Sequence, residues 1–185
     1  YTWVTVSGNQ QNGAMYAGSQ AQRAMVVKAL NSVIETNTSI RDEDNYFNLI
    51  ATPNYPEVQA TMIALNNDRG DTGFIVGDTP MTLPEDATMI QNWATDAAQV
   101  PETDAQGLVN RDTYMGLFYP SGLTTDPTSG NLVAVPPSHM MLYTFLKNDT
   151  ISYPWLAAAG TRRGIIYNAT NIGYVDRSEE HTSEL

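Results

Sequence analysis

The feature that most restricts how this chain can fold is an alternation. Through residues 1–119, short apolar runs of strand length are separated by segments whose apolar residues recur at helical spacing. Tyr1–Val6 reads as a strand, and after a polar loop with Gly8 and Gly13 the segment Ser19–Glu35 places Ala24, Val27, Leu30 and Ile34 on one helical face. The connector TNTSIRDEDN is polar, and Tyr46–Ala51 (YFNLIA) reads as a buried strand. Pro56 suits a first helical turn and Glu57 the dipole-favoured end, with Val58, Met62 and Leu65 at spacings of three and four residues. Gly70 is placed to end that helix. Phe74–Val76 is the next strand-like run, and Pro84, Glu85 and Asp86 open a third helix carrying Met89, Ile90, Trp93 and Ala97 on one face. After the loop VPETDAQGLVNRD comes a fourth apolar run, Tyr114–Tyr119. Such alternation predicts an α/β fold with a mostly parallel sheet covered by crossover helices.

The character of the chain changes after Tyr119. Pro120, Gly122, Pro127, Gly130, Pro136 and Pro137 punctuate what reads as a long loop. Ser138–Lys147 (SHMMLYTFLK) then predicts a helix capped near Pro137, and YPWLAAAGTRRGIIYNATNIGYVD mixes a Pro and Gly turn with strand-like IIY and IGYV segments. Residues 120–176 are therefore expected to form the start of a mixed α+β domain. The last nine residues, Arg177–Leu185 (RSEEHTSEL), resemble the translation of a sequencing-adapter oligonucleotide and are read as a scar outside the fold. Tyr1 stands inside an apparent strand, so the chain is expected to be a fragment of something longer.

Composition narrows the function classes. The chain is 42% hydrophobic and has 13 glycines, the ordinary proportion for a folded domain, which argues against intrinsic disorder. No apolar run approaches the roughly 18 residues of a membrane span, and the first residues lack the basic and apolar regions of a signal peptide. Nine basic against 20 acidic residues give a net charge of −11, or −9 without the final nine residues. Such a chain lacks the bulk positive surface that neutralises phosphates, so nucleic acid is not an expected partner. Only 16% of residues are charged, and Asn, Gln, Ser and Thr fill the deficit, which suits surfaces that pair by uncharged hydrogen bonds. The absence of cysteine excludes disulfides, thiolate zinc sites and a cysteine nucleophile.

The motifs offer little catalytic chemistry. His139 is the one histidine outside the final nine residues, and no GxSxG nucleophile turn occurs. Asp42, Glu43 and Asp44 lie in a polar connector, and Glu85 and Asp86 at a helix start, where solvation and the helix dipole account for them. GDTGFIVGD (Gly70–Asp78) and AGTRRG (Ala159–Gly164) match no phosphate-binding pattern. Asn66, Asn67, Asp68, Gly70 and Asp71 lack the spacing and closing Glu of a calcium loop and read as a turn. No cofactor or metal is expected. The N-x-S/T triplets at Asn37, Asn148 and Asn168 are what chance gives in a chain this rich in Asn and Thr. Arg162 and Arg163 stand between two glycines, near Pro154, Trp155 and Tyr167, and Trp, Tyr and Arg are the residues most enriched at binding hot spots. The competing reading is an ordinary turn with intramolecular ion pairs.

Three stretches taken together, YPSG at Tyr119–Gly122, DPTSGNLVAVPPSHMM at Asp126–Met141 and YPWLAAAGTRRGIIYNA at Tyr153–Ala169, resemble the contractile tail sheath proteins of myoviruses, most closely the T-even type. The pattern is a VPPS helix start (Val135–Ser138), an aromatic PW turn (Pro154, Trp155) and an AGTRRG segment (Ala159–Gly164), with Ala158 where relatives often carry proline. It covers Tyr119–Asp176; the preceding α/β segment is similar to the sheath's central domain only in general style. The resemblance implies a structural virion protein without catalytic activity. Its subunits would assemble as six-fold rings stacked helically around a tail tube, bounded by baseplate and tail terminator proteins, and would contract to drive the tube through the host envelope. It implies no nucleic-acid partner, no membrane insertion, assembly in the host cytoplasm and residence in the phage tail. Pro154, Trp155, Arg162, Arg163 and Tyr167 become candidates for shaping the domain or its inter-subunit contacts. The alternatives are an α/β hydrolase-like or carbohydrate-active enzyme, marked by convergent Asp, Glu or Ser residues at strand C-termini, and a glycan-binding module.

Overall fold

The structure, a computed structural model, describes residues 16–81, 83, 86–95, 107–108 and 110–172. The expected opening strand Tyr1–Val6, the loop with Gly8 and Gly13, Pro84, Glu85, Ala97, most of the IGYV segment and the final nine residues lie outside them. The chain divides into two compact units, Tyr1–Leu117 and Phe118–Leu185.

In the first unit, α1 (Ala17–Thr36) is followed by β1 (Leu49–Ala51), α2 (Gln59–Asp68), β2 (Phe74–Asp78), α3 (Ala87–Thr95) and β3 (Met115–Phe118). The sheet has the order β1-β2-β3 and is parallel, with Leu49, Ile50 and Ala51 in register with Phe74, Ile75 and Val76. The alternation in the sequence thus forms the α/β arrangement it predicts. Ile50, Val58, Met62, Leu65 and Ile75 make the core, and Val27, Leu30 and Ile34 of α1 pack against it. Burying an aliphatic side chain of this size contributes about 1.5–3 kcal/mol, so these few residues dominate the unit's stability. Pro56 opens a 3₁₀ turn (Pro56–Val58) that runs directly into α2. That helix ends where expected, at Gly70 with φ +69°, a conformation that costs a side-chain-bearing residue more than glycine. Asn66 completes the turn by accepting the Gly73 N–H on Oδ1 at 2.9 Å, so the Asn and Asp cluster there serves the chain reversal.

Several expectations are corrected. The strand expected over Tyr46–Ala51 shrinks to Leu49–Ala51, with Tyr46 exposed, because pairing with β2 covers only three residues. Ala24 faces solvent and Arg23 takes the inward position on α1. The Arg23 guanidinium reaches Glu57 at 2.7 and 2.9 Å and the Asn54 carbonyl at 2.6 Å, which a small apolar residue could not do. Asp86 does more than complement a dipole: its Oδ1 accepts the N–H groups of Thr88 and Met89 at 2.8 and 3.0 Å, capping α3.

The second unit contains β4 (Gly122–Thr125), β5 (Leu132–Val135), α4 (Pro137–Ile151), the single turn α5 (Gly160–Arg163) and β6 (Asn171–Ile172). The expected long loop is instead an antiparallel hairpin, β4 pairing with β5 from Gly122↔Val135 to Thr125↔Leu132, while β6 pairs antiparallel on the other side of β4. Its prolines and glycines mark the turns and strand ends. Asp126 closes the hairpin by accepting the Thr128 N–H at 3.0 Å and the Ser129 N–H and hydroxyl at 3.2 and 2.6 Å. The Ser129 hydroxyl above all, with these backbone N–H groups, holds the Asp126 carboxyl below its ordinary pKa. A Cβ at Gly122 would collide with the Met140 sulfur, so any larger residue here requires the Met140 side chain to move from its place between the hairpin and α4. The α4 helix begins at Pro137 as expected but continues one turn past Lys147. There the Asn148 Nδ2 donates to the Leu156 carbonyl at 2.7 Å, a tertiary bond that offsets the weak helix propensity of Asn148, Asp149 and Thr150. Ile165–Tyr167 is not a strand: among the described residues no partner edge meets it, and Tyr167 lies in a turn.

Candidate functional site

In the first unit, the place where an open parallel sheet would hold a ligand is the crevice at the strand C-termini. Asp78 stands there at the end of β2, 2% exposed, and was not singled out from the sequence because a lone acid after an apolar run carries no signal. Its Oδ2 accepts the Asn54 N–H at 2.7 Å and its carbonyl accepts the Gln59 Nε2 at 2.9 Å. The first bond holds the turn after β1, in which Asn54 has φ +67°, and the second ties the start of α2 to the end of β2. Asp78 is therefore committed to local structure. Among the described residues no group of three His, Asp or Glu side chains could hold a metal ion, and no helix is long and apolar enough to cross a membrane. His139 is exposed on the first turn of α4, where its carbonyl meets the Asn168 Nδ2 at 3.4 Å.

The second unit has an unusual distribution of polarity. On α4 the buried positions are Pro137, Ser138, Met140, Thr144 and Asn148, whereas Tyr143, Leu146 and Ile151 are exposed. The chain leaving α4 carries the sequence-predicted residues. Tyr153 and Trp155 stack on each other, ring centroids 4.8 Å apart and planes 7° from parallel, and Trp155 is 77% exposed. Pro154 forms the turn between them and is itself exposed. Arg162 and Arg163 occupy α5, both exposed, and among the described residues neither guanidinium has an ion pair or hydrogen bond. Tyr167 is half exposed, its ring 5.9 Å from the Lys147 ammonium. All five predicted residues lie on the one returning segment, which is tied to α4 through Asn148 and Leu156.

Sequence reading missed the exposure of Tyr143, Leu146 and Ile151. A signal was present: at helical spacing, SHMMLYTFLKNDTI puts Ser138, Thr144 and Asn148 on one face, which then has to be either the solvent face or an atypical core. It also missed Arg69, whose guanidinium lies 4.0 Å from the centroid of the Phe47 ring and donates to the carbonyls of Ile40, Asp42 and Asn45 at 2.8, 3.2 and 3.1 Å. Contacts at such separations leave no local pattern. Compared with models of known protein families and with curated proteins, the sequence matches none of them.

Proposed function

We propose that this chain is part of a contractile tail sheath subunit, working by docking against copies of itself and against a tail tube. The observation that carries the reading is the run of exposed apolar side chains in the second unit. Tyr143, Leu146, Ile151, Tyr153, Trp155, Ile165 and Tyr167 are exposed within about 25 residues of sequence, while Ser138, Thr144 and Asn148 are buried. Clustered exposed apolar side chains are a hallmark of protein interaction sites, and Trp, Tyr and Arg are those that most often dominate binding energy. The order VPPS, PW, AGTRRG adds support, since each motif coincides with a defined local feature: the start of α4, the aromatic turn and α5. A heterologous contact between copies that does not close builds a helical array, and rigid-body rearrangement of such contacts converts an extended array into a contracted one.

Electron microscopy of the complete open reading frame expressed alone tests the reading. Long striated tubes are the expected outcome; particles that stay monomeric at every concentration would refute it. Arg162→Ala and Arg163→Ala are expected to reduce tube formation without loss of fold, and wild-type yields in both would remove the arginines from the interface.

A further inference from the structure

The cations of this acidic chain are unevenly employed. In the first unit, Arg23 pairs with Glu57, and Arg41 pairs with Asp68 at 2.9 Å while donating to the carbonyls of Ile34 and Asn37. Arg69 is consumed by three backbone carbonyls. Arg162 and Arg163 of the second unit have no such partners among the described residues. The converse holds for the acids. Asp42, Glu43 and Asp44 are consecutive and exposed, and among the described residues none of their carboxylates is bonded.

The loop that carries them is nevertheless fixed in place. Arg69 binds the carbonyls on both sides of the acidic triplet and stacks on Phe47, and Asn45 Nδ2 donates to the Ser39 carbonyl at 2.7 Å. Beside the loop is a cleft of about 410 Å³ to which Glu43, Tyr46 and Asp68 contribute, within the usual size range of binding clefts. Tyr46 is 83% exposed at its rim, a free aromatic face of the kind on which a guanidinium stacks. Of the two arginines in its wall, Arg41 is paired with Asp68, while Arg69, bonded to neutral carbonyls, keeps its charge; against it stand Asp42, Glu43 and Asp44, so the loop and its cleft together remain net negative.

We propose that the Asp42–Asp44 loop and its cleft receive the Arg162–Arg163 turn of a second copy of the chain. The inference rests on the self-docking reading above and names the two surfaces that meet. Paired guanidinium and carboxylate groups form bidentate, charge-assisted hydrogen bonds, and a loop already held by Arg69 loses little freedom on binding. The two surfaces are different, so a contact between copies joins unlike patches, the kind of contact from which an open array can be built.

Charge reversal tests this with the full chain, read by sedimentation. R162E/R163E and, separately, D42K/E43K/D44K are each expected to weaken self-association at least tenfold, with unchanged circular dichroism because all five side chains are exposed. Mixing the two variants in equal amounts is expected to restore association, since each reversed surface then finds a complement. Wild-type association should weaken with added salt. Self-association of R162E/R163E equal to wild type, or a mixture that stays as weak as its components, would overturn the proposal while leaving self-docking through other surfaces intact. Association that follows the charge-reversal pattern but never yields tubes would uphold the contact and refute the sheath reading.

Discussion

The two units solve the burial problem in opposite ways. Among the described residues, the first holds Ile50, Val58, Met62, Leu65, Ile75, Val76, Leu83 and Trp93 as buried apolar side chains, while the second holds Met140. Large exposed apolar residues are concentrated in the second, from Leu132 to Ile172. A unit that buries a set of large apolar side chains carries its own core; one that leaves Tyr153, Trp155 and Tyr167 exposed has stabilisation still to gain from contacts. Such a division would suit the proposed sheath subunit, whose contacts change while its fold does not.

The sharpest way to break this contrast is to compare truncations in the two units. Met62→Ala, at a fully buried core position, is expected to cost about 2–5 kcal/mol in chemical denaturation; a loss below about 1 kcal/mol would show that the first unit is not the stable one. Asp78→Ala leaves the Asn54 N–H without its acceptor and is expected to cost about 1–3 kcal/mol by the same measurement. Removing the α3 cap with Asp86→Ala should cost about 1 kcal/mol.

Trp155→Ala is expected to change stability by no more than about 0.5 kcal/mol, because the side chain is 77% exposed, yet to lower self-association by tenfold or more. If Trp155→Ala instead unfolds the chain, the exposed aromatics are structural and the contrast fails. The smallest effect concerns pH. The Asp126 carboxyl is held below its ordinary pKa, so the hairpin turn is favoured above the unfolded value of about 3.9 and loses that support as the pH falls through the lower folded value. Protection factors at Thr128 and Ser129, with the exchange rates corrected for their intrinsic pH dependence, should fall in that acidic window and stay constant above pH 5.

What could be read in advance follows the range of the interactions. The buried face of Val58, Met62 and Leu65 and the stop of α2 at Gly70 are encoded by local spacing, and the interface-like composition around Arg162 and Trp155 is encoded by neighbours in sequence. The hairpin escaped because β5 (LVAV) has no polar alternation and its turn, DPTSGN, looks like any loop until Asp126 is seen gathering its donors. Ile165–Tyr167 was misjudged for the opposite reason: the residues favour a strand, but a strand exists only where an edge is free to pair with it. Asp78 and Arg69 act across 24 and more residues, where no local pattern records them.

One consequence of the hairpin lies in how the molecule behaves in a test tube. Among the described residues β5 is an outer strand of its sheet, it carries no charge, and Leu132 and Val133 face solvent, with Pro136 following immediately as an interruption. An uncharged sheet margin of this kind invites sticking between molecules in arbitrary registers. Amorphous precipitation would therefore compete with the proposed ordered assembly, and a lysine placed at Val133 should suppress the former while leaving the latter.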